Sequence, residues 1–410
     1  MIPLGVDELE GLGELAGDGE VTGLHIDSRR AGPGDLFVAI RGGREFVADA
    51  RARGAAVLVP DDEFGAMAAI GRLLRARTSA RVVGITGSTG KTSTKDILAA
   101  LCAPVVRTVA TEGSYNAELG VPLTLGRLEP DTELCLVEMG MRGAGQIAEL
   151  CEIARPDAGV ITAVGPVHLE LVGSVEAVAR SKSELVAALP AGGVAVVPES
   201  PYLDPYVRDD LDLRRVGPVD VELRDDGAHV AFAGRRIRFP LGSRHQAQNA
   251  LTALTTYEAL GLPLDRLDES AASVRLSPWR GEELALPGGG FVVNDAYNAN
   301  PTSMEAALRH LAERGDGRRR LAVLGGMAEL GEHAARHHRE IAKLAAELGI
   351  DVLAVGKLAR AYGGEAWVAD AEEALAAARE LVRPGDAVLV KASRAVALEG
   401  IAPALANGLD

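Results

Sequence analysis

The stretch VVGITGSTGKTSTKD, Val82 to Asp96, decides the fold. An apolar β-type run (Val82, Val83, Ile85) ends in TGSTGKT, Thr86 to Thr92, and passes without a gap into the helical KDILAALC, Lys95 to Cys102. Strand, glycine turn and helix in this order make a phosphate cradle. The glycines let backbone N–H groups turn onto an anion, the helix adds its dipole, Lys91 adds charge and Thr92 can hold Mg2+. Thr86, Gly87, Ser88, Thr89, Gly90, Lys91 and Thr92 are therefore the predicted phosphate-binding residues of a nucleotide site. The general pattern asks for glycine where Ile85 stands, so the match is incomplete there.

Outward from this loop, apolar strands and helical patterns alternate, which predicts an α/β chain of three domains. Residues 1–78 hold short strand-like pieces and read as a small α/β unit. Residues 79–280 read as a phosphate-loop ATPase unit with a mostly parallel sheet, and residues 281–410 as a Rossmann-like unit without a GxGxxG. Val219 to Pro240 alternates in period two around a DDG turn, predicting hairpin strands at the edge of the central sheet. SPWRGEE, Ser277 to Glu283, reads as the hinge, and AVALEGIAPAL, Ala395 to Leu405, as a last helix. Arg72, Arg75, Arg77 and Arg81 read as a solvated helix face and linker.

At 410 residues, with 47% hydrophobic and 25% charged residues, the chain can bury more than one core. The net charge of -15 argues against nucleic-acid binding, which needs a basic face. Cys102, Cys135 and Cys151 are odd in number and lack a CxxC, so they read as reduced core residues of a cytoplasmic protein. No run of 18 apolar residues occurs and the N-terminus lacks a signal pattern, so neither export nor membrane insertion is expected.

Ligands of such sheets gather at the carboxyl ends of strands, where Thr92, Glu138 and His168 fall. Glu138 ends an apolar strand and can reach Mg2+; His168, after a Gly-Pro turn, is a metal ligand, a proton donor or a structural residue. Lys182 lies on an otherwise apolar helix, where a lysine needs a partner, loses its charge, or snorkels to the surface. Arg280 suits a clamp on a γ-phosphoryl group or an interdomain salt bridge. NDAYNANP, Asn294 to Pro301, either caps a helix or reads a base and ribose. Lys391, Ser393 and Arg394 mark a carboxylate-binding corner at a strand end that opens a helix. Ser28 and Arg29 follow a strand and either bind an anion or form a turn with a solvated arginine. His333, His337 and His338 hint at zinc, but the absence of further ligands at zinc spacing favours a solvated helix face.

Taken in order, DSRRAGPGDLFVAIRG, GITGSTGKTSTKD, NAELGVPLTL, VEMGMRGAGQI, PDAGVITAVGPVHLELVGSVEAVARSKSEL, HQAQNALTA, NDAYNANPTSM, GGMAELG and LVKASR resemble the Mur ligase family along nearly the whole chain. The resemblance implies an ATP-dependent enzyme of peptidoglycan precursor synthesis that joins D-Ala-D-Ala to UDP-MurNAc-tripeptide through an acyl phosphate, and that works as a monomer. It implies two Mg2+ sites drawn from Thr92, Glu138, His168 and Lys182, with Lys182 carbamylated. It assigns Asn249, Asp295 and Asn298 to adenosine and Arg280 to the γ-phosphate. Ser28 and Arg29 fall near the uridine diphosphate, and Asn116, Glu329, Lys391, Ser393 and Arg394 at the other substrate sites. Departures lie in the short RGGREF loop, Arg41 to Phe46, at Ala117, and at Gly326, Ala392 and Ala395 around the dipeptide site. The rival readings are a sister ligase that adds a diamino acid, which usually carries a DNPR motif that this chain lacks, a folylpolyglutamate-type ligase, and a nucleotide-binding switch without ligase work, against which Lys91, Glu138, His168 and Lys182 argue.

Overall fold

The computed structural model describes residues 1–363 and 366–408. The strand Arg81–Thr86 lies inside a six-stranded parallel sheet in the order Asp212–Val216, Val194–Pro198, Ala158–Ile161, Arg81–Thr86, Leu134–Glu138, Thr108–Ala110. The chain leaves Arg81–Thr86 toward one edge, returns as Leu134–Glu138, then crosses to Ala158–Ile161 on the other side. The carboxyl end of Arg81–Thr86 is thus the switch point where an open sheet forms its crevice. All five residues of Leu134–Glu138 are buried, as expected of a strand covered on both faces.

One face of this sheet (Val82, Cys135, Val137) shares a core with Leu24, Leu36, Met67 and Ile70 of the N-terminal segment. That segment forms a four-stranded sheet, Gly13–Ala16, Ala56–Pro60, Asp35–Val38, Gly23–His25, antiparallel only at its first pair. Arginines read from sequence as solvated instead fasten it down. Arg75 donates to the carbonyls of Ala154 and Arg155 and to Asp157, and Arg77 to Pro3 O and Glu8. Arg81 reaches Leu260 O, and Arg72 alone of the four is exposed and unpartnered among the described residues.

The other face (Val83, Ile85, Leu136) packs with the helices Lys91–Cys102 and Arg244–Ala259. The alternating Val219–Pro240 segment does not extend the central sheet. Its strands Val221–Arg224, Gly227–Phe232 and Arg235–Phe239 pair only with one another, because Val230, Ile237 and Phe239 are drawn onto the Arg244–Ala259 helix.

The C-terminal sheet runs Glu282–Ala285, Phe291–Asn294, Ala387–Lys391, Arg320–Gly325, Asp351–Val355, Trp367–Val368, parallel except at the first pair. Separate apolar clusters cover its two faces. The last helix begins only at Ile401; Arg394–Val396 is a single tight turn, ended by Ala397 at φ 57. His338 is not on a solvated face. It is fully buried, its Nδ1 donating to Ala334 O (2.6 Å) and its Nε2 accepting from Met327 N (3.0 Å), and burial lowers its pKa. That pins the GGMAELG turn.

Candidate active site

Gly87 and Gly90 are required by close approach. A Cβ at Gly87 (φ 154) would lie 1.9 Å from Thr162 Oγ1, and one at Gly90 (φ 81) 2.2 Å from Asn249 Oδ1. Ile85 is fully buried in the core, which is why no glycine stands there. Thr162 pins the loop by donating to Thr89 O (2.5 Å), and Ser88 Oγ donates to Gly165 O (3.1 Å). Lys91 opens the helix Lys91–Cys102 and donates to Gly87 O at 2.7 Å. Burial and Arg280 lower its pKa while Glu138 raises it, so an anion in the loop would restore a charge the site disfavours.

Beside the loop, polar groups converge from distant segments. Arg280 donates to Thr92 Oγ1 (2.8 Å) and Ser114 Oγ (2.9 Å), lies 4.1 Å over the Tyr297 ring, and keeps a buried Nε with no partner among the described residues. Glu138, fully buried, accepts from Asn116 Nδ2 at 2.7 Å, and its other carboxylate oxygen, Oε2, has no partner among the described residues. An orphaned carboxylate oxygen in a cavity that Thr92 and Ser114 also line is a donor set that fits a hard cation. Lys95, also buried, donates to Thr111 O (2.6 Å) and Gly113 O (3.0 Å) and pairs with Asp96 (2.9 Å), whose other oxygen accepts from Ser277 N. This pair fixes both the turn that carries Ser114 and the linker that carries Arg280.

Lys91, Thr92, Ser114, Glu138 and Arg280 line a cavity of about 360 Å3, whose far side is formed by Asn249, His245, Asp295, Asn298 and Lys391. Lys391 is therefore not in a corner with Ser393 and Arg394. It is buried under this cavity, donating to Asp295 Oδ2 (2.6 Å) and Asn298 O (2.9 Å). Asn298 turns its own Oδ1 onto Ala299 N.

A second chamber, about 570 Å3, shares Ser88, Lys91, Ser114, Asn116, Tyr297 and Asn298 with the first. It adds Lys182, His168, Arg142, Glu329, Ser393 and Arg394. Lys182 is buried with no hydrogen-bond or ion-pair partner among the described residues; burial, and then Lys91, drive its pKa well down. His168 lines this chamber and not the cavity lined by Thr92 and Glu138, so the three do not share one crevice. Its Nδ1 lies 2.6 Å from Glu329 Oε2, and among the described residues no three His, Cys, Asp or Glu side chains gather as a metal site. Ser393 Oγ accepts from Ala328 N, and Arg394 pairs with Glu399 and covers Trp279.

A third cavity, about 650 Å3, lies between the strands Gly23–His25 and Thr108–Ala110 and is lined by Asp27, Arg30, Arg107, Arg127 and Tyr115. Ser28 and Arg29 do not line it. Ser28 is buried, and Arg29 folds back onto Asp27, holding that exposed carboxyl down at about 2.

The Mur ligase middle domain matches residues 85–257 and the Mur ligase glutamate ligase domain residues 279–394. The UDP-N-acetylmuramoyl-tripeptide--D-alanyl-D-alanine ligase of Mycobacterium tuberculosis is 36% identical over 94% of this chain and 92% of its own. The chain belongs to the Mur ligase family. Its structure is similar to a crystal structure of MurF from Acinetobacter baumannii (TM-score 0.87, 26% identity, 99% of both chains). It is similar also to the MurF ligase of Thermotoga maritima in complex with ADP (TM-score 0.83, 27% identity, 94% and 97%). In this Mur ligase, sequence reasoning missed Ser114, Thr162, Tyr297 and Lys95. Lys95 alone carried a usable signal, a second lysine one turn after Lys91 in the same helix.

Proposed function

We propose that this Mur ligase joins D-Ala-D-Ala to the terminal carboxylate of UDP-MurNAc-tripeptide at the expense of ATP, the activity named for its relatives. The observation that carries this is the meeting of two cavities at Lys91. One is lined by Asn249 and Asp295, the other by Lys182, His168 and Arg394, and both open onto the phosphate loop. A γ-phosphoryl group at that junction faces an acid in the second chamber.

In this reading Thr86 to Thr92 hold the phosphates, and Asn249, Asp295 and Asn298 line the adenosine end. Arg280, whose Nη2 already donates to both Thr92 and Ser114, takes the γ-phosphoryl oxygens. Mg2+, when bound, neutralises phosphate charge, and Thr92 with the free oxygen of Glu138 would hold it, Asn116 orienting that carboxylate. A second ion would draw on His168 and Lys182. The carboxylate oxygen attacks the γ-phosphorus as the bond to ADP breaks. The dipeptide amine then attacks the acyl carbon, the C–N bond forms, and inorganic phosphate leaves. Positioning and cationic charge supply the catalysis; no enzyme nucleophile is required.

In the same reading Lys182 is carbamylated. The support is a buried amine whose pKa burial and nearby Lys91 drive well down, which favours the neutral form that captures carbon dioxide, and which has no hydrogen-bond or ion-pair partner among the described residues. A mass increment of one carbon dioxide, or rescue of Lys182→Ala by short carboxylates, tests it. Residues 1–78 would take the uridine-diphosphate sugar, with Arg30 rather than Arg29 facing the 650 Å3 cavity; residues 79–280 the ATP; residues 281–410 the dipeptide, near Glu329, Ser393 and Arg394. Work as a cytoplasmic monomer belongs to the same reading; among the described residues no helix is long and apolar enough to cross a membrane. The test is phosphate release with UDP-MurNAc-tripeptide. Dependence on D-Ala-D-Ala is expected, whereas release without it, or with a free diamino acid on the dipeptide precursor, would overturn the proposal.

A further inference from the structure

The segment His168–Gly173 of the central unit meets the turn Glu329–Gly331 of the C-terminal unit. Leu169 is buried in the same apolar cluster as Phe291, Met304, Leu324 and Leu330, so one central-unit side chain belongs to the C-terminal core. Its neighbour His168 has φ 53, and Glu329, the residue its ring touches, has φ 61. These are two of the seven non-glycine residues with positive φ among those described, and they face each other across a junction. Strain of this kind persists only where surrounding contacts hold it. Here the contacts come from the opposite unit: Glu170 N–H donates to Glu329 O at 3.4 Å, and Arg142 Nε lies 3.6 Å from Glu329 Oε1. The helix Leu169–Val172 is four residues long, too short to keep its shape alone.

We infer that Glu329 and Leu169 are positioning residues for His168, which they orient only while the C-terminal unit is docked. The carboxylate fixes the imidazole through Nδ1 and leaves Nε2 uncommitted in the chamber that His168 lines. Undocking withdraws Leu169 from its core and Glu329 from the ring together, and His168 loses its conformation. The unit that delivers the amine thereby completes the chamber in which the acid is activated. This rests on the ligase reading of that chamber.

The test uses the full chain. Leu169→Ser and Glu329→Ala should raise the dipeptide KM and lower kcat by about tenfold or more, leaving the ATP KM within about twofold, as expected of a shifted docking equilibrium. Leu169→Met and Glu329→Gln should recover most of the loss. A Cβ at Gly331 (φ 54) would lie 3.1 Å from Glu170 Cβ, so the pair Glu170→Cys and Gly331→Cys is within disulfide reach once the backbone at Gly331 relaxes, and the reduced double variant must first match wild-type turnover. The native cysteines are buried and do not compete. Oxidation should stop turnover and reductant restore it, with spin labels on the two units reporting one short distance when oxidised and a broader distribution when reduced. Equal turnover in both states, or single variants that raise ATP and dipeptide KM alike, would overturn the inference. If the wild type shows no dipeptide-dependent phosphate release, the ligase reading fails; the spin-label distances of Leu169→Ser against wild type still decide the docking contact, unchanged distances refuting it.

Discussion

Replacing Lys391 by methionine separates what holds the nucleotide cavity from what reads the nucleotide. Lys391 is 2% exposed and Asp295 17%, and their atoms stand 2.6 Å apart. Methionine keeps the length and apolar stem but leaves the Asp295 carboxylate and the Asn298 carbonyl without their donor. Breaking one side of so buried a pair costs about 3 kcal/mol, whereas an exposed pair is worth about 1 kcal/mol or less. Asp295→Asn added to Lys391→Met removes the stranded charge, so the double variant should recover all but about 1 kcal/mol. The ATP KM should rise in both, because the cavity wall that Asp295 forms is altered either way. Urea unfolding followed by tryptophan fluorescence reads the C-terminal sheet, since Trp367 lies in it and Trp279 on its linker. A single variant that costs less than about 1 kcal/mol, or a double variant as unstable as the single, would refute the reasoning.

Lys91→Ala should abolish ATP-dependent ligation with an unchanged melting profile, since its one hydrogen bond is to a loop carbonyl; retained turnover in a phosphate-release assay would count against the site. Lys182 has a folded pKa well below its ordinary 10.5, so between that depressed value and 10.5 the unfolded chain carries the extra proton. Stability from this residue therefore rises with pH through that window and is lost as pH falls through the depressed value. In buffer free of carbon dioxide, Lys182→Met should be more stable at neutral pH and lose that slope, measured by urea unfolding at neutral and alkaline pH. Burial pushes the thiols of Cys102, Cys135 and Cys151 up to about 12, so alkylating reagents should label none of them in the native protein and all three in urea.

The phosphate loop was legible in the sequence because its chemistry is carried by consecutive residues, Thr86 to Thr92, between a strand and a helix. The alternation around it made the α/β layers legible too. Period-two alternation in Val219–Pro240 identified strands but not their partners, which depend on what the Arg244–Ala259 helix offers them. Lys391 was misread because its partner Asp295 lies 96 residues earlier and arrives through sheet pairing. Glu329 meets His168 across 161 residues, a contact only docking creates. Ser114 and Tyr297 are ordinary loop residues until Arg280 swings between them. His338 sits in a helix of polar composition, and only the fold reveals that it faces the buried turn at Met327.

The central claim is that a triphosphate on the loop transfers its end group to an acid in the adjoining chamber. The most direct measurement uses UDP-MurNAc-tripeptide labelled with heavy oxygen in its terminal carboxylate, followed by mass analysis of the released phosphate. An acyl phosphate captured by the amine predicts one heavy oxygen in each phosphate formed with D-Ala-D-Ala. Unlabelled phosphate, with the displaced heavy oxygen in water or both heavy oxygens still in unligated tripeptide, would contradict the account.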